Sequence, residues 1–289
     1  MAAQLHCSPR AFDTGEKTKT CFTLKELRLL ASEFNKKNPE RPVRGKTKGE
    51  LVKALLKAYK AVCDDHQFCW IRQTLTDHAK IAELEKAFRP PKPEEWERDR
   101  NTWLTTTDIL YVMRQYEELY KDFKFMGVFP IDFADNSKGY CIGDMMCDFD
   151  IHRHVMDHKM RRFGVVFNTD KSYRSGQHWI SLYCCLNPKN MNYGIYFYDS
   201  VANPAPKEVK EFMERVVKQV GDERFKAYEN RVQKQYDNYD CGVYSCVFLT
   251  QCLKNVAFKT ICARMHTDKG VNALRDVLYR PPTPLTLST

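Results

Sequence analysis

The sequence predicts an α+β protein with a helical N-terminal extension, and three observations predict it. Capped amphipathic helices dominate residues 23–89, a proline cluster at Arg89-Pro90-Pro91-Lys92-Pro93 closes them off, and strand-like runs rich in Val, Ile, Tyr and Phe then alternate with helices. The expected layout is a flexible start at 1–22, a helical extension at 23–89, a main domain at 94–280 and a flexible tail at 281–289.

The first 20 or so residues show no apolar period. Thr23 followed by Glu26 fits a capping box, and Leu24, Leu27, Ala31 and Phe34 recur at helical spacing behind it. Pro39, Pro42 and Gly45 break the pattern, and Thr47 with Glu50 opens a second helix carrying Leu51, Leu55, Leu56, Tyr59 and Val62. A third helix is expected over 71–88, before the prolines, which continue neither helix nor sheet. Thr105 and Asp108 then cap a helix bearing Ile109, Val112, Met113, Tyr116 and Tyr120. The next stretch, rich in Gly and Met, reads as irregular. Strands follow at 163–167, 179–186 and 193–198. Pro206 starts an amphipathic helix with Val209, Phe212, Met213, Val216, Val217 and Val220 on one face. A strand at 225–232 leads into the turn Tyr236-Asp237-Asn238-Tyr239-Asp240 and a helix from Cys241 to about Leu253.

Composition narrows the class. The 289 residues are 43% hydrophobic, enough for a substantial core. No apolar run reaches the roughly 18 to 20 residues of a membrane span, and the start lacks a secretory signal's apolar stretch, so a cytoplasmic or nuclear protein is expected, with no membrane partner and no secretion. Twelve cysteines are dilute in this length and read mostly as small buried hydrophobes in a reducing compartment. The net charge of +9 is uneven: residues 24–62 hold 11 Lys and Arg against 4 Glu.

Thiol catalysis needs a thiolate, an imidazole to generate it, a group to orient the imidazole and donors for an oxyanion. Cys241, in Asp240-Cys241-Gly242, follows a polar turn and opens an apolar helix, whose dipole favours a thiolate. Gly242 would let a substrate backbone approach. His178, in Gln177-His178-Trp179, stands at a strand start, and Asp199, in Tyr198-Asp199-Ser200, closes the next strand. If those strands are antiparallel neighbours, the two residues meet. Gln235 stands six residues before Cys241, so its amide and the Cys241 N–H would share one oxyanion. Each residue alone has an ordinary packing explanation; the four in this order, each at an element edge, do not.

Together Gln177-His178-Trp179, Tyr198-Asp199-Ser200 and Gln235-x5-Cys241-Gly242 resemble the signature of the adenain-like cysteine peptidases, which comprise the SUMO-specific (ubiquitin-like-protein) proteases and the adenovirus maturation protease. Trp103-Leu104 before a helix resembles that family's substrate-facing Trp-Leu pair. The match spans about residues 100–270, and Asn168-Thr169-Asp170 with the helical extension looks closest to the polyprotein-processing proteases of large nucleocytoplasmic DNA viruses. The resemblance implies a papain-like, adenain-like fold with a central mixed sheet flanked by helices. It implies Cys241 as nucleophile, His178 as base and later acid, Asp199 as its orienting group, and Gln235 as oxyanion donor. Trp179 would pack beside the imidazole or thiol, and Trp103 would wall the cleft. It further implies cleavage after a Gly-Gly-like pair in viral polyprotein maturation, in the host cytoplasm and virion, with no cofactor. An isopeptidase acting on host SUMO or ubiquitin conjugates is the alternative. A related Cys-His acetyltransferase and a binding module with a degenerate catalytic domain are the others.

Residues 24–62 resemble a SAP-type DNA-binding motif, with Lys46, Lys48, Lys53 and Lys57 as candidate phosphate contacts; the same face equally fits packing on the protease or a partner. Cys141, Cys147, His152, His154 and His158 match no common zinc spacing, so they are expected to form an exposed segment near the cleft rather than a metal site. Of the adjacent pair Cys184 and Cys185, at most one is expected in a core, since neighbours on a strand face opposite ways. Cys246 and Cys252 read as helix packing.

Overall fold

The computed structural model describes residues 5–12, 19–137 and 139–281. The expected flexible tail beyond residue 281, and residues 1–4 and 13–18 of the expected flexible start, lie outside the described residues. Contacts divide the chain into two units: one holds the chain up to Glu94 together with the segment from Asp276 onward, and the other is Glu95–Arg275.

The first unit is helical. α1 (Leu24–Lys37) and α2 (Lys48–Cys63) each begin with a complete capping box, Thr23 with Glu26 and Thr47 with Glu50. The stretch expected as one helix over 71–88 is two, α3 (Gln67–Thr74) and α4 (His78–Glu85). Asp77 explains the break, because its carboxylate accepts from the N–H groups of Ala79 and Lys80 and restarts the helix. Leu27, Leu30, Leu55, Trp70 and Ile71 are fully buried at the centre. Described parts of the expected flexible start are not loose. Cys7 and Phe22 are fully buried, Ser8 N–H donates to the Ala87 carbonyl, and Arg89 N–H donates to that of His6. The segment from Asp276 also belongs here, with Arg280 N–H on the Pro90 carbonyl, so the second unit ends at Arg275 rather than at 280.

The cysteine expectation needs correction. Cys7–Cys21, Cys63–Cys69 and Cys141–Cys147 are disulfide-bonded. Each pair closes a short loop of 14, 6 or 6 residues, a proximity that composition does not reveal. Cys184, Cys185, Cys241, Cys246, Cys252 and Cys262 are free and buried.

In the second unit α5 (Thr106–Leu119), capped by Thr105 and Asp108, leads into a five-stranded mixed sheet in sequential order: β1 (Phe123–Pro130), β2 (Arg162–Asn168), β3 (Trp179–Cys185), β4 (Gly194–Tyr198) and β5 (Ala227–Glu229). The outer pairings β1–β2 and β4–β5 are parallel, the inner two antiparallel. β1 falls where an irregular stretch was expected. Its period is broken by Gly127, which has φ +143° at a shift of register, so alternation fails as a signal there. β5 is shorter than the expected 225–232 strand. α6 (Lys207–Val220) lays Val209, Phe212, Met213 and Val216 on one face of the sheet, in a cluster with Phe163, Phe167 and Phe197. α7 (Cys241–Leu253) packs on the other face against β3, and the Tyr198 ring stacks on Phe248 at 4.8 Å. With helices on both faces, β3 is buried along its whole length, and Cys184 and Cys185 are both core, against the expectation of at most one. α8 (Phe258–Arg264), α9 (Asp268–Ala273) and the one-turn α10 (Arg275–Leu278) follow α7.

Candidate active site

β3 and β4 run antiparallel with Ser181 opposite Tyr198, which brings the start of one and the end of the other to the same sheet edge. The loop before β3 is shaped by Asn168, whose Oδ1 accepts from the N–H groups of Asp170 and Gln177 at 2.9 and 3.1 Å. Gly176 passes so close that a Cβ there would come within 2.7 Å of Asn168 Nδ2, and its φ of +97° also calls for glycine. Thr169 N–H donates to the His178 carbonyl at 2.9 Å, which closes the loop and presents the imidazole.

Across the edge, Asp199 is buried. His178 Nε2–H donates to its Oδ1 at 2.7 Å, Val201 N–H to the same oxygen at 3.0 Å, and Asn203 N–H to Oδ2 at 3.2 Å. Asn230 fixes the backbone beneath: its Oδ1 accepts from Asp199 N–H at 2.9 Å and its Nδ2 donates to the Asp199 carbonyl at 2.7 Å. Sequence reasoning passed over Asn230, although an Asn in a strand-like run is a poor strand former and was the available signal. Cys241 is the first residue of α7, 1% exposed, and hydrogen-bonds His178. Burial works against charge on His178, but the bonds to Asp199 and Cys241 and the negative charge of both outweigh it and raise the imidazole to about 9. The imidazole is thus held as the imidazolium at neutral pH, the partner that thiol catalysis needs beside its sulfur.

Gln235 is buried near this edge, yet its Nε2 donates to the carbonyl and the carboxylate of Asp237, both at 3.0 Å, while Ser200 Oγ donates to its Oε1 at 2.5 Å. Its amide must rotate before it can meet an oxyanion. The side of Gly242 to which a side chain would point is filled. A Cβ there would lie 2.9 Å from Leu104 Cβ and 3.2 Å from Trp179 Cδ1, so this glycine admits the neighbouring side chains. Trp179 Nε1–H donates to the Leu104 carbonyl at 2.9 Å, joining the Trp-Leu pair to the residue after His178. Trp103, 39% exposed, and Trp179 border a groove of about 590 Å³ that continues past Phe129, Pro130, Ile142 and Gly176. The Cys141 to His158 segment holds a disulfide and a His154 ring stacked on Phe149, and among the described residues no group of His, Cys, Asp or Glu is placed to hold a metal ion.

Of the four basic candidates in the first unit, Lys57 alone lines a groove there, of about 790 Å³. Its other cations, Lys37, Arg41 and Arg44, were not singled out, and no carboxylate lines it.

A cysteine opening a helix, facing an imidazole held by a buried carboxylate, is the arrangement of a thiol peptidase, and this chain is a cysteine protease. Residues 165–279 match the Ulp1 protease family, C-terminal catalytic domain, a stretch that includes His178, Asp199, Gln235 and Cys241. The chain thus carries a Ulp1-like catalytic domain. It is 26% identical to a thiol protease of Acanthamoeba polyphaga mimivirus over 95% of this chain and 93% of that one. It is 25% identical to the SUMO-1 cysteine protease of African swine fever virus over 68% and 74%. The crystal structure of the African swine fever virus protease shares the fold, with a TM-score of 0.66 over 98% of both chains at 20% identity. No helix among the described residues is long and apolar enough to cross a membrane.

Proposed function

We propose that the chain is a viral endopeptidase that matures structural polyproteins by cutting after small, Gly-Gly-like pairs. In this reading Cys241 attacks the scissile carbonyl and His178 carries the proton to the leaving amine. Asp199 orients the imidazole, and the Cys241 N–H with a rotated Gln235 binds the oxyanion. The observation that carries it is the 2.7 Å bond from His178 to the buried Asp199, at the sheet edge where α7 begins with Cys241. The two relatives named above are viral cysteine proteases, which supports a viral role, and the groove bordered by Trp103 and Trp179 supports a peptide chain lying along it. Work in the host cytoplasm and the virion follows from the same reading.

Cys241→Ala and Cys241→Ser are expected to abolish cleavage of a Gly-Gly-containing polyprotein fragment while circular dichroism stays unchanged. Near-normal turnover by either variant overturns the assignment. Comparing that fragment with a SUMO–lysine isopeptide conjugate separates the two substrate classes, and preference for the conjugate makes the chain a deconjugating enzyme.

A second reading concerns the first unit. The groove lined by Lys37, Arg41, Arg44 and Lys57 without a carboxylate favours a DNA phosphate backbone as a further partner.

A further inference from the structure

Asp240 occupies the N-cap position of α7, where an aspartate ordinarily accepts from the free N–H groups of the first turn. Here its side chain makes no hydrogen bond to the helix. The carboxylate instead turns inward onto Arg275, and neither side chain is exposed at all. Arg275 Nε and Nη2 lie 2.8 and 2.7 Å from Asp240 Oδ1, and Asn272 Nδ2 donates to both carboxylate oxygens at 3.3 and 3.2 Å. The guanidinium also donates to the carbonyls of Thr102 and Tyr239 at 2.8 and 3.2 Å and lies 4.5 Å from the Trp96 ring centroid. Its direction is therefore fixed from several sides.

A full-strength ion pair is an unusual way to hold an N-cap residue, and desolvating both partners is costly. The alternative conformation shows what the pair prevents. A capping carboxylate would occupy one of the first-turn N–H groups and set a full negative charge beside the Cys241 sulfur. There it would oppose both the thiolate and a developing oxyanion.

We propose that Arg275 is a positioning residue for catalysis, which draws the Asp240 carboxylate off the start of α7 and so keeps its negative charge away from the Cys241 sulfur and the oxyanion that forms beside it. The proposal rests on Cys241 as the nucleophile. Charged and titratable groups around Asp240 are Arg275 and the Asp237 carboxylate; His178 faces Cys241.

The test compares Arg275→Gln with the double variant Asp240→Asn, Arg275→Gln in the full chain. Circular dichroism checks folding, peptide kinetics give kcat and KM, and mass spectrometry follows iodoacetamide alkylation at Cys241 against pH. For Arg275→Gln the expected result is a loss in kcat of about 10²-fold with little change in KM, since a full negative charge then stands beside the developing oxyanion. Its alkylation profile should also move to higher pH. The double variant keeps a polar pair without the charge, so it should recover at least about tenfold in kcat over the single and return to the wild-type alkylation profile. A folded Arg275→Gln with wild-type kcat and alkylation profile overturns the proposal, as does a double variant no better than the single, which would make the pair scaffold alone. Should Arg275→Gln not fold, the double variant decides: a kcat within about tenfold of wild type supports the proposal and a larger loss overturns it. Turnover by Cys241→Ala would defeat the nucleophile assignment separately from either result.

Discussion

Gly242 and Gly49 each stand at the second residue of a helix, α7 and α2. Replacing glycine by alanine in a helix without strain stabilises by about 0.5–1 kcal/mol, through backbone entropy. At Gly49 a Cβ would meet nothing within 4 Å, so Gly49→Ala should show that gain undiminished. At Gly242 the new methyl would sit 2.9 Å from Leu104 Cβ and 3.2 Å from both Leu104 Cδ1 and Trp179 Cδ1. Leu104 Cβ cannot swing away, because it is bonded to a backbone whose carbonyl also holds Trp179 Nε1 at 2.9 Å. Overpacking of this kind costs about 1–3 kcal/mol, so Gly242→Ala should lie below Gly49→Ala in stability by about that much. The displaced pair adjoins His178, and misplacement near reacting groups lowers turnover, here by about tenfold or more. Urea unfolding of both variants and peptide kinetics of Gly242→Ala give the two readings. A Gly242→Ala protein as stabilised as Gly49→Ala, with full turnover, would refute the close packing and restore open space over the helix start.

Two further outcomes follow from charge. His178 is raised from 6.5 to about 9, so the stability its imidazolium contributes is complete below about 6.5 and lost as pH climbs through about 9. Cleavage should fall over the same alkaline range; a limb near 7, or none up to about 10.5, contradicts a thiolate–imidazolium pair. Charge reversal at Arg41, Arg44 and Lys57 should abolish salt-sensitive binding of duplex DNA, measured by fluorescence anisotropy, and leave short-peptide cleavage unchanged. Undetectable DNA affinity of the wild type at low salt removes that reading.

The helices with capping boxes were legible because Thr and Glu, or Thr and Asp, at three-residue spacing state their own geometry, as α1, α2 and α5 demonstrate. His178, Asp199 and Cys241 were legible as candidates because each lies at an element edge, and the register of β3 with β4 was the one assumption needed. What stayed hidden depends on long-range contacts. Nothing local foretells that Cys7 meets Cys21, that β1 survives a bulge at Gly127, or that Asp240 turns to a residue 35 positions away. Gly242 was read as admitting a substrate backbone, and sequence alone does not report that Leu104 and Trp179 stand where its Cβ would be. The orientation of the Gln235 amide is set by Ser200 and Asp237, and no spacing rule reports it.

The antiparallel pairing of β3 and β4 carries a consequence for how such chains diverge. Asp199 lies 21 positions after His178, and the residues between them form two ladder-paired strands and a turn at the remote end, around Lys189, roughly 20 Å from the imidazole for a seven-residue strand. The ladder sets the gap between imidazole and carboxylate, and the turn does not. Relatives are therefore free to lengthen or shorten that turn, and an epitope grafted at Lys189 would leave the acid–base geometry untouched. What has to hold is the register that sets Ser181 opposite Tyr198, so a fixed residue count between His and Asp is a poor search key for this architecture.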